Sequence, residues 1–463
     1  MIRLFRVFVP VGTLALLAAE IIIMLTAFVV ASYLVLEVDP TDYLLYDGGL
    51  MRIVVVLLSI LISLYFQDLY SNYLIESRIL LLQQLSMAIG TAILIQGIFS
   101  YISRDLRTPL RLMLTGCFLS LAGVFAWRLA FNSYALKVVG RTRLLLLGGS
   151  ESLEDLAQHV VEHPELGLAV AGYVDDCPRV ESTSRAGRLL GPVAELRRIV
   201  AETDPGLIVV GMSERRNCVP VADLLELRFG GHAIEEVSSA YERVTGRVSL
   251  KELRPSQLIY SGELEPRRQT LLYQRVFNLV VATIGIVLTS PLMLLTALAV
   301  RLSSPGPVLY RQRRVGLEGQ VFTVYKFRSM RVNAEAGTGA VWASKNDPRI
   351  TPVGRIIRRL RFDELPQLFN VLRGEMSLVG PRPERPEFVK ALSEQIPYYR
   401  QRHYVPPGIT GWAQINHKYG DTLEDTVTKL EYDLYYIKNM SVSLDIYIVF
   451  HTLKTMLLTR GAQ

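Results

Sequence analysis

The chain has 463 residues, of which 50% are hydrophobic and only 20% are charged. At roughly 100–200 residues per domain, this length predicts several domains. The apolar content is too high for a soluble protein without a membrane segment. The formal net charge is +7, so exposed surfaces should attract lipid headgroups, nucleotide phosphates or nucleic acid. Charge alone does not choose among these ligands, but the composition makes a membrane protein the first hypothesis.

The number and spacing of the cysteines argue against a disulfide-stabilised fold and against a zinc site. The three cysteines, Cys117, Cys177 and Cys218, have no metal-ligand spacing, and one of them lies in an apolar run. We therefore predict neither a disulfide framework nor a zinc site.

Four apolar stretches fill the first third of the chain: Val7–Leu36, Ile53–Phe66, Leu80–Tyr101 and Leu110–Phe131. Each approaches the ~20 apolar residues that cross a bilayer, and the first is far longer than the core of a cleaved secretory signal. They predict a four-helix transmembrane bundle within residues 1–136. The alternative is a buried helical core of a soluble protein, and the absence of an alternating polar face argues against it.

Flanking charge predicts the orientation of this bundle. Basic residues occur before the first stretch and after the last: Arg3, Arg6, Lys137, Arg141 and Arg143. The positive-inside rule then places both ends in the cytoplasm. The acidic loop at residues 37–47 fits the outside, whereas the basic loop at residues 104–111 favours the opposite orientation.

Residues 137–262 change to a soluble α/β pattern. Strand-like runs and helical patterns alternate there, at Leu144–Leu147, Glu151–His163, Val170–Val174, Val193–Glu202 and Leu207–Val210. This alternation predicts a small Rossmann-like domain. A dinucleotide fingerprint starting at Gly148 would need two further glycines where the chain has Ser150 and Leu153. The pattern favours a structural or regulatory role for this domain. Nucleotide binding remains the alternative.

A fifth uncharged stretch, Val276–Val300, has arginines on both flanks and contains Ser290-Pro291. Proline removes a backbone donor and bends the helix, and the Ser290 hydroxyl can satisfy a freed carbonyl. Basic flanks favour the same side for both ends, so we predict a re-entrant helix at residues 274–301. The alternative is a kinked span. The last apolar run, Ile446–Leu458, is broken by His451 and Lys454 and predicts a packed or amphipathic helix.

Adjacent carboxylates, Asp363 and Glu364, follow a predicted helix that begins at Thr351-Pro352. That helix and the residue after it carry four cations: Arg355, Arg358, Arg359 and Arg361. Asp363 would be a simple helix N-cap in the plainer interpretation, which leaves Glu364 and the arginines unexplained. A carboxylate among arginines should stay ionised and can attack phosphorus, while its neighbour holds a divalent cation that neutralises a diphosphate.

Three other segments supply groups for anion binding. Lys326 and Arg328 follow a strand-like run at Val321–Val324, and Arg382 stands between two prolines. Trp412 lies in a stiff turn, where it could pack on a base or lie at the membrane interface. Each segment alone is weak evidence, since exposed arginines usually only solvate a surface.

The order of the segments is more specific. From about Gln274 to the C-terminus the chain resembles the bacterial sugar transferase family of monotopic phosphoglycosyl transferases. The matching segments are Ser290-Pro291, Ser304–Gly316, Lys326–Met330, Asn346–Gly354, Asp363–Gln367, Met376–Pro383 and Pro407–Asn416. The preceding spans and the degenerate Rossmann-like domain resemble the large members of this family, which initiate exopolysaccharide, capsule or O-antigen repeat units.

The resemblance implies a two-step transfer of a phosphosugar from a UDP-sugar to undecaprenyl phosphate, with Mg²⁺ as cofactor. It implies Asp363 as nucleophile, Glu364 as metal ligand and four substrate or phosphate contacts: Lys326, Arg328, Arg358 and Arg382. Ser290 and Pro291 become the hinge of the re-entrant helix in a catalytic segment at residues 263–463. The implied location is the cytoplasmic face of a bacterial inner membrane. A homodimer is expected from the size of the N-terminal regions.

Competing functions lack their own signals. A nucleotide-sugar dehydratase or epimerase would need an intact glycine fingerprint and a Tyr-x-x-x-Lys pair, and the central segment has neither. A non-catalytic membrane scaffold of a polysaccharide assembly system leaves the Asp363–Glu364 pair without a role. Nucleic-acid binding is not expected, because no helix or aromatic platform for bases accompanies the basic residues.

Overall fold

The computed structural model describes residues 2–4, 6–70, 77–138, 142–176, 187–212, 219–253, 268–332, 347, 349–417 and 422–457. The chain forms two compact units. One contains Met1–Arg3 and Phe8–Glu235, and the other contains Leu4–Val7 and Glu236–Gln463. Cys177, Cys218 and the predicted boundary at residues 262–263 lie outside the described residues, whereas Cys117 is buried and has a free thiol.

The chain begins with two short strands followed by helices. The strands are β1 (Ile2–Leu4) and β2 (Val7–Val9), and the helices are α1 (Val11–Val35), α2 (Pro40–Leu45), α3 (Gly49–Phe66), α4 (Arg78–Ile102) and α5 (Leu110–Val138). Four of these helices, all except α2, are long and apolar enough to cross a membrane. They coincide with the four predicted apolar stretches, except that residues 7–9 form a strand and Pro10 precedes the first helix.

A buried ion pair joins α1 to α5. The Arg128 Nε atom lies 2.6 Å from the Glu20 Oε1 atom, and both side chains are almost completely buried. The Tyr70 hydroxyl donates to Glu20 Oε2 at 2.6 Å, and Arg128 donates to the Leu69 carbonyl at 2.9 Å. Charges in an apolar layer are tolerated when they are paired in this way.

A five-stranded sheet follows in the same unit. Its strands are β3 (Thr142–Leu147), β4 (Leu168–Val174), β5 (Leu189–Gly191), β6 (Leu207–Val210) and β7 (Ala233–Glu236), and the helices between them are α6 (Glu151–Glu162), α7 (Leu196–Thr203) and α8 (Val221–Phe229). The strand order is β5-β4-β3-β6-β7, and the central strand β3 pairs in parallel with both β4 and β6. This is the order of a Rossmann-type sheet, with its switch point between β3 and β6.

The glycine-containing turn after β3 is explained by packing within the domain. A Cβ atom at Gly149 would lie 2.7 Å from the Asp175 Oδ2 atom, so the close approach of that carboxylate requires glycine. The Ser150 hydroxyl accepts from the backbone N–H of Leu153 and caps α6. Gly149 and Ser150 therefore both have local structural roles, in keeping with the structural interpretation of this turn.

The second unit contains one long helix and many short elements. The helices are α9 (Val237–Thr245), α10 (Arg268–Ser303), α11 (Pro352–Arg359), α12 (Gln367–Leu372), α13 (Pro386–Gln395), α14 (Trp412–Asn416), α15 (Leu423–Asn439) and α16 (Val442–Leu457). The strands are β8 (Leu309–Val315), antiparallel to β9 (Val321–Phe327), and β10 (Ser377–Val379), parallel to β11 (Gly408–Thr410). Val324, Val379, Leu434 and Leu444 are among the residues of its main core.

Residues 237–250 pack on the C-terminal part of this unit. The backbone N–H of Val248 donates to the Glu431 carbonyl at 3.1 Å, and the Lys438 Nζ atom lies 2.8 Å from Glu242. The Trp412 indole donates to the Gly246 carbonyl at 2.9 Å. Helix α9 thus belongs to the same compact unit as the predicted catalytic segment.

Helix α10 runs without interruption from Arg268 to Ser303, with Pro291 inside it. Proline at this position cannot donate to the Val287 carbonyl, and the Ser290 hydroxyl donates to that carbonyl at 2.9 Å. Ala282, in the first half, belongs to the main core, and Val300, in the second half, packs with other buried residues. The middle of the helix exposes large apolar side chains, including Val287, Leu288, Leu294 and Leu295.

The last helix, α16, has one buried and one exposed apolar face. Leu444 and Ile448 are fully buried, whereas Ile446 and Leu453 are about half exposed. This matches the predicted packed helix, whose final residue, Leu458, lies outside the described residues.

Candidate active site

The two adjacent carboxylates lie on a short turn between two helices. Thr351 caps α11 by accepting from the backbone N–H of Gly354 at 2.9 Å, and Pro352 occupies the first turn. The chain then reverses at Arg361, whose φ of +58° lies in the left-handed region. A single 3₁₀ turn, Phe362–Glu364, follows and leads into α12. The reversal brings this turn against strand β9.

Three basic side chains of the site lie within 4 Å of the Glu364 carboxylate. Lys326 Nζ lies 2.8 Å from Glu364 Oε1, and Arg382 Nη2 lies 3.2 Å from the same oxygen. Arg361 Nη1 is 3.9 Å from Glu364 Oε2. Burial alone would raise the pKa of Glu364, but Lys326, Arg382 and Arg361 together hold that pKa well below its usual range. Glu364 is therefore a fixed carboxylate anion.

Asp363 has a different environment. Its side chain is only 8% exposed, and its Oδ1 atom has no hydrogen-bond partner among the described residues. Burial raises the pKa of Asp363 to about 6, and the negative charge of Glu364 adds to the effect. Lys326, Arg358 and Arg361 offset part of it. We expected arginines to keep this carboxylate fully ionised, but the nearby ion pairs go to Glu364, so Asp363 is the more basic of the two carboxylates.

Arg358 lies near Asp363 without an ion pair in the part of the chain that the structure describes. It lowers the pKa of Asp363 and also acts on Asp347. Asp347 is already held by Arg349, whose Nε atom lies 2.8 Å from Asp347 Oδ1. The Arg358 guanidinium is half-buried, so it is a cation close to Asp363 with donors to offer to an anion.

The structure does not bring Arg328 to the pair. Its guanidinium donates to the Ser304 carbonyl at 2.7 Å and to the Pro305 carbonyl at 2.8 Å. Strand β9 ends at Phe327, so the strand alternation that would align Arg328 with Lys326 stops before it. Arg328 organises the loop that follows α10 instead of the site.

Trp412 is also a structural residue. Its side chain is buried, stacks on Tyr435 with ring centroids 5.4 Å apart and donates to a backbone carbonyl. Neither base stacking nor an interfacial position fits this environment.

Sequence reasoning counted Arg361 among the cations around the pair, but it did not single out Asn370. The Asn370 amide donates to the Thr323 carbonyl at 2.7 Å, and the Asn370 Oδ1 atom accepts from the Tyr325 N–H at 3.2 Å. These bonds tie α12 to β9, and so fix the Asp363–Glu364 turn against Lys326. The only sequence signal was that Asn370 lies on the helix that starts just after the pair.

A divalent cation fits this site only with help from a substrate. Among the described residues there is no group of three or more His, Cys, Asp or Glu side chains that could hold a metal. Mg²⁺ commonly binds through one or two carboxylates together with substrate phosphates and water. Two oxygens meet that requirement: Asp363 Oδ1, which has no hydrogen-bond partner among the described residues, and Glu364 Oε2, which lies 3.9 Å from Arg361 Nη1.

Comparison with known proteins supports the resemblance. The family model described as bacterial sugar transferase matches residues 269–459. A UDP-N-acetylgalactosamine-undecaprenyl-phosphate N-acetylgalactosaminephosphotransferase of Aeromonas hydrophila is 48% identical over 230 residues, covering 50% of this chain and 53% of that protein. The exopolysaccharide production protein PSS of Rhizobium leguminosarum bv. phaseoli is 41% identical over 196 residues, covering 41% of this chain and 98% of that protein.

The chain belongs to the bacterial sugar transferase family. It also resembles a UDP-glucose:undecaprenyl-phosphate glucose-1-phosphate transferase of Escherichia coli (strain K12), with 50% identity over 183 residues, 39% of each chain. The chain matches about half or less of the length of the Aeromonas and Escherichia relatives. The matched family segment contains both carboxylates and the cations near them: Lys326, Arg358, Arg361 and Arg382.

Because the two carboxylates have different surroundings, neutralising Asp363 and neutralising Glu364 should have opposite effects on the stability of the protein. Because the pKa of Asp363 is raised from 3.8 to about 6 in the folded chain, its ionised form costs folding free energy above pH 6. Asp363→Asn should therefore stabilise the protein at pH 8, by roughly 1–3 kcal/mol, and the gain should shrink toward pH 5. Thermal unfolding in detergent at both pH values measures this.

Glu364→Gln is the matched comparison. It leaves Lys326 and Arg382 without their shared anion, so it should lower the melting temperature at pH 8. If Asp363→Asn melted at or below the native temperature at pH 8, Asp363 would not be a buried, poorly compensated charge.

Proposed function

We propose that this protein transfers a phosphosugar from a UDP-sugar to undecaprenyl phosphate, giving undecaprenyl-diphosphate-sugar and UMP through a covalent aspartyl intermediate. The observation that carries this proposal is the division of roles between adjacent carboxylates. Glu364 is held by two cations, whereas Asp363 keeps a buried oxygen without a hydrogen-bond partner among the described residues. An oxygen that no donor occupies is available to attack phosphorus.

The first half-reaction forms the intermediate. One Asp363 oxygen attacks the phosphorus that carries the sugar, a new P–O bond forms, and the bond from that phosphorus to the UMP oxygen breaks. UMP leaves with the bonding electron pair. In the second half-reaction an oxygen of the lipid phosphate attacks the same phosphorus, and the aspartyl P–O bond breaks. The Asp363 carboxylate is then restored for another cycle.

The raised pKa of Asp363 suits this role. A carboxylate with a pKa of about 6 is still mostly ionised at pH 7 to 8, and it is more basic than an ordinary aspartate. Basicity and charge are both needed in a nucleophile at neutral pH. Arg358 lies near enough to Asp363 to affect its pKa and has no ion pair in the described chain, so we assign it to a substrate phosphate.

The groups around Glu364 would neutralise the diphosphate. Lys326 and Arg382 already converge on one Glu364 oxygen, and substrate phosphates can share such donors. We assign Mg²⁺ to Glu364, where it would offset phosphate charge during bond exchange. Lys326 and Arg382 keep Glu364 ionised and oriented for that ligand. No role in phosphate binding is proposed for Arg328, because its Nη1 and Nη2 atoms donate to the Pro305 and Ser304 carbonyls.

Membrane placement forms part of the same proposal. We propose that α1, α3, α4 and α5 form a four-helix transmembrane bundle and that α10 is re-entrant, with Ser290-Pro291 at its hinge. Support comes from the two halves of α10, which both pack within the second unit while the apolar middle is exposed. A lipid phosphate at the membrane surface would then reach Asp363.

Contacts near the N-terminus support a cytoplasmic catalytic face. Tyr435 donates to the Arg6 carbonyl at 2.9 Å, and Val7 packs against the core of the second unit. Helix α1 starts only a few residues later, at Val11. The positive-inside rule assigns Arg3 and Arg6, which precede the first predicted span, to the cytoplasm.

The substrate class follows from the relatives. Their names specify UDP-N-acetylgalactosamine or UDP-glucose as donor and undecaprenyl phosphate as acceptor, and we extend the same classes to this chain. We place the reaction in the bacterial inner membrane, as the first step of exopolysaccharide, capsule or O-antigen repeat synthesis. A homodimer stays a prediction.

The reaction is tested by UMP release from the purified protein in nanodiscs, with undecaprenyl phosphate, Mg²⁺ and a panel of UDP-sugars. One sugar should release UMP, at a rate that rises as the pH increases through about 6, because Asp363 must be ionised. Asp363→Asn should lower the rate by at least about 10³-fold. Glu387→Gln, an exposed carboxylate on α13, is the control and should keep the native rate.

Absence of UMP with every sugar, from a folded and lipid-bound protein, would eliminate the transferase proposal. The non-catalytic scaffold of a polysaccharide assembly system would then be the better description.

The re-entrant geometry is tested by cysteine labelling in a cysteine-free background. Leu272→Cys and Leu302→Cys are on opposite ends of α10 and are well exposed in the native chain. Both should react with a membrane-impermeant maleimide in inverted vesicles and neither in spheroplasts. Tyr46→Cys, just after α2 and between the first two predicted spans, should show the reverse pattern. Labelling of positions 272 and 302 from opposite sides would show a spanning helix instead.

A further inference from the structure

A buried ion pair lies behind the predicted active site without any role in the proposed chemistry. Arg402 Nη2 lies 2.8 Å from Asp433 Oδ2, and both side chains are almost completely buried. Arg402 also donates to the Tyr399 hydroxyl at 2.7 Å and to the Arg382 carbonyl at 3.1 Å. Buried ion pairs contribute little more to stability than apolar residues of the same volume. The directional donors of Arg402 therefore need another explanation.

The contact with Arg382 is one of a series. In the segment Pro381–Glu384, four successive carbonyl oxygens each accept a hydrogen bond. Their donors, in chain order, are the Gly408 N–H at 3.0 Å, Arg402 Nη2 at 3.1 Å, Arg314 Nη1 at 2.9 Å and the Val315 N–H at 2.9 Å. Pro381 and Pro383 also restrict φ on both sides of Arg382. We name this segment, Pro381–Glu384, the clamped segment.

Two of the four donors are arginine side chains, and each is itself oriented by acceptors. Arg402 is held by Asp433 and Tyr399, as described above. Arg314 is held by the Gln312 side chain at 2.7 Å and by Glu384 at 3.4 Å. A planar guanidinium fixed by two partners presents its remaining N–H groups in one direction. Both arginines therefore act on the backbone at the position from which the Arg382 side chain reaches Glu364.

We propose that Arg402, with Asp433, and Arg314 are positioning residues that hold the backbone of Arg382 so that its guanidinium stays on Glu364. This inference rests on the proposed function. It gives the buried Arg402–Asp433 pair a role, although neither residue takes part in a step of the proposed reaction. Displacing Arg382 would weaken the hold on Glu364, and a displacement of about 1 Å can cost ~10²-fold in rate.

The test is a double-mutant cycle between these residues and Arg382. Arg402→Met/Asp433→Asn removes the donors and leaves no unpaired charge in the core. In the native background it should lower the rate of UMP release by about 10–100-fold. In an Arg382→Ala background it should lower the remaining rate by less than 3-fold, because the group it positions is absent. Radiolabelled UDP-sugar resolves these low rates.

Equal losses in both backgrounds would overturn the inference, because they would show that Arg402 acts independently of Arg382. Glu242→Gln/Lys438→Met is the control: it removes an ion pair between α9 and α15, the helix that carries Asp433, and it should leave the rate unchanged. If the Arg402 variant did not fold, Arg314→Gln would replace it in the same cycle, since the Arg314 side chain is partly exposed.

A second readout separates this inference from the proposed function. If the native protein released no UMP, the function would fail while the positioning claim stayed testable by amide hydrogen exchange. The Arg402 variant should then exchange at least about 10-fold faster in peptides covering residues 377–385, with native exchange in α15. Native exchange at residues 377–385 would overturn the positioning claim by itself.

Discussion

Two neighbouring carboxylates share one set of cations, and the rest of the site depends on how that charge is divided. Lys326 and Arg382 both contact Glu364, so Glu364 is a fixed anion. Asp363 is left with an oxygen that has no hydrogen-bond partner within the described part of the chain. The reversal at Arg361, with its positive φ, makes this division possible by pointing adjacent residues into different surroundings. A symmetric pair would have two weakly basic, fully paired carboxylates and no nucleophile.

The long helix α10 supports the same arrangement from the other side. Its Asn278 amide donates to the Ser377 hydroxyl at 2.8 Å and accepts from the Leu378 N–H at 3.2 Å, which fixes strand β10 just before the clamped segment. Leu368, on the helix that follows the carboxylate pair, packs against Gly285. The proposed membrane element is thus attached to both parts of the site. Its depth in the bilayer would set the depth of Asp363.

Local patterns predicted the elements but not the partners. Apolar runs and alternation located the helices and strands, and the Asp363–Glu364 pair stood out because arginines surround it. The pairing of Lys326, and not Arg328, with Glu364 depends on where β9 ends, at Phe327, which no local pattern indicates. Arg402 was missed for a related reason. Its acceptors lie 20 and 31 positions away in the chain, and only folding brings them together.

The central claim is that Asp363 carries the phosphosugar, and peptide mass spectrometry tests it most directly. The protein would be incubated with its UDP-sugar and Mg²⁺ but without lipid phosphate, quenched in denaturant and digested. We predict a phosphosugar adduct on a peptide containing Asp363, which disappears when undecaprenyl phosphate is added before the quench. UMP release without any adduct, or an adduct that persists in Asp363→Asn, would contradict the account.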